Sequence, residues 1–148
     1  MRSLALVALL VSASSFASEY VSKKVSYTVF GRSGWSTTYY SCYSAQDLVE
    51  GHIETLGGIN ARVRCSGGIE NWGATPIRIS ATFDAPLPNG GAVEEKTLKA
   101  RSFDENCELH TTTLKNLLPA FPGVKVVSKR DSCMDNRTRW YYNIEVTH

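Results

Sequence analysis

The chain has 148 residues, 16 Lys and Arg against 14 Asp and Glu, and 43% hydrophobic residues. That length suits one domain with a real core, which buries roughly two thirds of its unfolded surface. A formal net charge of +2 excludes capture of nucleic acid or anionic membrane by bulk charge, so charge-based recognition must come from a local patch.

Met1-Arg2, the apolar run Leu4 to Val11 and the small-x-small Ser15-Phe16-Ala17 predict a signal peptide over 1–17. The run is too short for a membrane-spanning helix, which needs roughly 20 apolar residues. No cysteine stands near the cut, which argues against lipid modification. The mature domain is then 18–148, secreted or periplasmic. Only Arg2 is lost among the charged residues, so the mature chain stays close to neutral.

Val25 to Phe30 alternates and is rich in β-formers, which predicts a strand. Gly31 to Ser41 reads as a polar, aromatic loop. Ser44 is the expected N-cap of a helix with Ala45, Leu48, Val49, His52, Ile53 and Leu56 on one face, ended by Gly57-Gly58. Ile59 to Cys65 alternates as a second strand, Ser66 to Thr75 reads as a loop, and Ile77 to Phe83 alternates as a third strand. Pro86 to Gly91 is the strongest punctuation in the mature chain and marks a joint. Beyond it come a weak strand within Ala92 to Phe103 and a helix carrying Leu114, Leu117, Leu118 and Phe121. Pro119 frays the end of that helix or turns it 3₁₀. Strands at Val124–Val126 and Trp140–Val146 follow.

Both halves carry Cys, helix, Gly and strand in the same sequence, and Gly58 and Gly123 stand at the same offset from Cys42 and Cys107. This predicts two β-α-β-β repeats, 18–85 and 92–148, joined by 86–91. The expected fold is α+β: a largely antiparallel sheet with two helices on one face, resembling the ferredoxin-like topology with added strands.

Four cysteines allow three pairings. A helix of about 12 residues runs roughly 18 Å down from the end where the first strand finishes. A strand of about six residues returns roughly 20 Å. Each helix start therefore meets the end of the strand after it, which predicts Cys42–Cys65 and Cys107–Cys133, each worth about 3 kcal/mol. Such bonds agree with export. No close Cys pair suggests a metal site, and no cofactor motif is present.

No sequence motif specifies a reaction. His52 lies on an apolar stripe and reads first as a buried or boundary histidine; His110, near the start of the second helix, reads as a surface or boundary residue; His148 is terminal. Asp84, Asp104 and Glu105 could converge only through folding. Asn136-Arg137-Thr138 matches a glycosylation sequon. Two features suggest recognition. Trp35, Tyr39, Tyr40, Tyr43 and Trp72 fall in loops at the disulfide end, where ring faces suit sugars or partner side chains. Arg62, Arg64, Arg78, Lys125, Lys129, Arg139 and Tyr141 fall at outward strand positions and predict a local basic face.

The expectation is a non-catalytic, exported binding module for a glycan or protein. Its expected contacts are Trp35, Tyr39, Tyr40 and Trp72, seconded by Arg62, Arg64 and Arg78. Nucleic acid is the least favoured ligand, because the sheet lacks a stacking platform. The alternatives are a small hydrolase using His52 with a carboxylate, and an inhibitor or assembly subunit working through a sheet edge.

Overall fold

The computed structural model describes residues 18–30, 40–70, 73–100, 106–133 and 139–148. The proposed signal peptide lies outside them. The first unit comprises β1 (Tyr20–Val29), α1 (Cys42–Thr55), β2 (Ile59–Glu70) and β3 (Gly73–Pro86). The second comprises β4 (Val93–Lys99), α2 (Cys107–Leu117), β5 (Val124–Arg130) and β6 (Tyr141–Thr147). A 3₁₀ turn at Leu118–Ala120 ends α2 where Pro119 withdraws its N–H from the helix.

The architecture is α+β, as the patterning predicts, with both disulfides in place. Cys42–Cys65 spans 5.5 Å between Cα atoms and Cys107–Cys133 spans 5.9 Å. The strands divide into two three-stranded antiparallel sheets, ordered β1-β3-β2 and β4-β6-β5, instead of forming one. Each unit keeps the β-α-β-β part of a ferredoxin-like topology. The second unit forms its own sheet instead of extending the first.

α1 begins one turn earlier than the apolar stripe suggests. Ser41, not Ser44, is the N-cap, and its Oγ accepts from the Ser44 N–H at 3.2 Å. The helix closes on Gly57, at φ +85°, with Gly57 N–H donating to Glu54 O and Gly58 N–H to Ile53 O. That is the paired bond set of a Schellman stop. A Cβ at Gly58 would sit 2.5 Å from Ile53 Cγ2, so this position requires glycine.

Within the expected loop over 66–75, residues 66–70 and 73–75 are strand. β2 and β3 stay paired antiparallel through it, with Ser66 opposite Arg78 and Glu70 opposite Gly73. Gly67 and Gly68, at φ +84° and +89°, form a bulge between the two stretches of ladder. Glycine signals both turns and bulges, and only the pairing on either side distinguishes them.

One core serves both units. β3 buries Ile77, Ile79, Ala81, Phe83 and Ala85, and β6 buries Tyr142, Ile144 and Val146. Phe83 of the first unit stacks on Phe121 of the second, with centroids 5.1 Å apart. α2 lies against both sheets. The Tyr27 hydroxyl on β1 donates to Thr113 Oγ1 at 2.9 Å, and the Tyr142 hydroxyl on β6 reaches the Thr111 carbonyl at 3.5 Å. Burial pushes the Tyr27 phenol up to about 12, against the opposing pull of its Thr113 bond.

Tyr142 also donates to Asp131 Oδ2 at 3.1 Å, where Lys129 at 2.8 Å and Lys115 at 3.5 Å converge. Partial burial pushes the Asp131 carboxyl up. The bonds from Lys129 and Tyr142 and the charges of Lys115 and Lys129 outweigh it and hold the group below the ordinary carboxylate range.

Two expected outcomes follow from this packing. Tyr27→Phe should cost about 1–2 kcal/mol in urea denaturation, since it leaves the buried Thr113 hydroxyl without this donor. The added loss on Thr113→Val in that background should be smaller than that of Thr113→Val alone. Asp131, with its folded pKa depressed, contributes stability that is complete above about pH 4 and drains as pH falls through the folded value. Asp131→Asn should therefore flatten the acid limb of a stability-against-pH curve while leaving its slope near neutrality unchanged.

Candidate functional site

The outer face of the first sheet is set by strand alternation. Cross-strand partners share a face, so the register stacks three consecutive rows: Lys24–Thr82–Arg62, Ser26–Ser80–Arg64 and Thr28–Arg78–Ser66. The inner face takes Val25, Tyr27, Val29, Val63, Ile77, Ile79 and Ala81. Eight of the nine outer residues are exposed, and Ser80 is half-buried. Rows lie about 7 Å apart along the strands and about 5 Å apart between them.

Every one of these nine side chains is a cation or a hydroxyl. Among the described residues no carboxylate forms an ion pair with Lys24, Arg62, Arg64 or Arg78. The nearest acid in register is Asp84, one row beyond. It accepts from Ser22 Oγ at 2.6 Å and Asn60 Nδ2 at 2.8 Å. Those two bonds, Asn60 foremost, hold its carboxyl below the usual range, so the group remains an anion occupied by its own neighbours.

Arg62, Arg64 and Arg78 are therefore brought together as their alternation predicts. Lys24 joins them, a residue the sequence reading missed by starting the strand at Val25. The alternation of Ser22, Lys24, Ser26 and Thr28 with Val21, Lys23, Val25 and Tyr27 held the signal, obscured because Lys23 breaks the apolar series.

The second sheet's cations are more scattered: Lys99 and Arg130 flank Tyr141 at one end, and the others are paired. Lys125 faces Glu145 at 3.4 Å. Lys129 pairs with Asp131 and lies over the buried Tyr142 ring, 5.9 Å from its centroid. A bulge between Val126 and Ser128 shifts the parity of β5 by one residue, turning Lys129 to the inner side. Tyr141 is on the outer face, 37% exposed, and Arg139 holds an interaction of its own.

The aromatic expectation is corrected in part. Tyr40 is 6% exposed and belongs to the core. Its carbonyl accepts from Ile69 N–H at 3.1 Å, which anchors the chain entering α1 to the bulged part of β2. A Cβ at Gly68 would lie 2.4 Å from that carbonyl. Tyr43, by contrast, is 74% exposed. Trp35, Tyr39 and Trp72 lie outside the described residues, as do Asp104, Glu105 and the 136–138 sequon.

His52 meets a second histidine. Its Nε2 stands 2.9 Å from His110 Nδ1, joining α1 to α2, and His110 stacks on Trp140 at 4.8 Å. Sequence spacing could not show this pair, because 58 residues separate its members. Among the described residues no group of three or more His, Cys, Asp or Glu gathers as a metal site, and no helix is long and apolar enough to cross a membrane. His52→Ala should lower stability by about 1–2 kcal/mol in urea denaturation through loss of this bond and its packing.

Comparison of the chain with protein-family models, with curated proteins and with solved structures finds no match.

Proposed function

We propose that this protein is an exported, non-catalytic binding module made of two like β-α-β-β units, and that the outer face of its first sheet holds an anionic partner. Export is supported by the signal-like pattern of 1–17 and by two closed disulfides with no free cysteine. Duplication is supported by the shared element order and by the matching strand orders β1-β3-β2 and β4-β6-β5.

The observation that carries the reading is four exposed cations on one sheet face without an ion-pair partner among the described residues. Two unit charges about 7 Å apart repel by about 0.6 kcal/mol in water before screening. Each such pair is a small standing cost, and a bound anion reverses its sign. No single contact is strong, so the face works through several charges acting together on a frame that is already ordered. The second unit, by comparison, places Lys96, Lys115, Lys125 and Lys129 each beside a carboxylate.

A charge-matched comparison on a sulfonate cation exchanger tests the reading. Arg62→Ser/Arg64→Ser/Arg78→Ser should elute at markedly lower salt than Lys99→Ser/Lys125→Ser/Arg130→Ser, which removes the same charge from the second sheet. Equal elution of the two variants would remove the face as an anion-binding surface.

A further inference from the structure

We infer that the occupant of this face is a linear acidic glycan, a chain of sugars bearing carboxylate or sulfate groups. The inference rests on the anion-binding reading above and narrows it to one chemical class.

What the face lacks separates the candidates first. None of the nine residues in the three rows is aromatic. Single-stranded nucleic acid is held by stacking successive bases on rings as well as by charge, and among the described residues the face has one ring at its end, the exposed Phe30 beside Thr28, Ser66 and Arg78, and none along its rows. Protein interfaces draw most of their energy from a few buried Trp, Tyr, Arg or aliphatic anchors seated in pockets. This surface has no apolar side chain among the nine and only open depressions, one over Lys24, Arg62 and Thr82, another over Ser26, Arg64 and Ser80, and a third where Thr28, Ser66 and Arg78 meet Phe30. A partner protein would find charge and a single apolar side chain, Phe30 at one end of the rows, in place of a buried cluster of anchors.

What the face offers fits an acidic sugar chain. Five of its nine side chains are hydroxyls: Ser26, Thr28, Ser66, Ser80 and Thr82. A hydroxyl both donates and accepts, as a sugar hydroxyl does. The Ser26 Oγ to Ser80 Oγ bond at 3.2 Å shows two of them already aligned across strands. Arginine supplies the planar fork that meets a carboxylate or sulfate with two parallel bonds.

The spacing points to a polymer and not to a lone ion. Arg62, Arg64 and Arg78 occupy three successive rows, so the cations run along the strands over about 14 Å, with Lys24 beside the first. A single small anion would engage one of them. A chain with charges at intervals engages all, and meets a hydroxyl in every row.

The test uses residues 18–148 with the disulfides intact, against polygalacturonate, dextran sulfate, neutral dextran, polyglutamate and an oligothymidylate, by surface plasmon resonance. The expected result is binding to one or both acidic glycans at least tenfold tighter than to polyglutamate or oligothymidylate, and none to neutral dextran. Which acidic glycan binds tighter identifies carboxylate or sulfate as the group read. Arg62→Ser/Arg64→Ser/Arg78→Ser should weaken glycan binding at least tenfold. Ser26→Ala/Ser66→Ala/Ser80→Ala should weaken it severalfold while leaving any polyglutamate binding unchanged. The substituted side chains are solvent-facing, and unchanged thermal unfolding would show both variants folded. Equal affinity for every polyanion with no effect of the serine variant would overturn the glycan assignment while leaving the anion face standing. Tighter binding to polyglutamate or oligothymidylate would do the same. Failure of the arginine variant to weaken binding, or no binding to any polyanion, would overturn both.

Discussion

The fold depends on α2 reaching out of its own unit. A single unit of roughly 60 residues buries a smaller share of its surface than a larger domain does and would be marginal alone. Here the second helix lies against the first unit's β1, through Tyr27 and Thr113, and against its own β6, through Thr111 and Tyr142. Both threonines are buried. Two polar side chains are accepted in the core because their groups find partners, which keeps the cost of burial low. Phe83 on Phe121 and His52 on His110 add apolar and polar contacts across the same boundary. The two units are alike in order of elements, yet they share a single interior.

Local rules made much of this legible. The disulfides could be paired from element lengths alone, because a helix running down and a strand running back must bring Cys42 to Cys65 and Cys107 to Cys133. The outward arginines could be named because period-two alternation is strict within each strand. Where alternation was interrupted, the reading faltered. Gly67 and Gly68 suggested a loop where the chain makes a bulge, and the bulge at Val126 to Ser128 reversed the facing of Lys129.

Other features depend on contacts between distant parts of the chain, and no local pattern carries them. The division of the strands into two sheets is one. The burial of Tyr40 is another: it sits in what composition marks as an aromatic loop, yet it is buried, with its carbonyl tied to Ile69 of β2. The His52–His110 bond joins helices whose separate stripes each looked self-sufficient. Lys24 belongs to the candidate site because β1 starts at Tyr20, well ahead of the apolar alternation that marked the strand.

The uneven pairing of charge has an effect beyond contact distance. The molecule is close to neutral, but the first sheet gathers four cations without ion-pair partners on one face, while the second sheet pairs Lys96, Lys125 and Lys129 with carboxylates and leaves only Lys99 and Arg130 without one among the described residues. Charge gathered on one face gives a body a directional field, and such a field exerts a torque near a charged wall even where the net force is small. Approaching an anionic surface, the protein would turn its first sheet inward before touching. Tumbling collisions would thus become pre-aligned ones, and this gain in encounter rate would vanish as salt shortens the reach of the field.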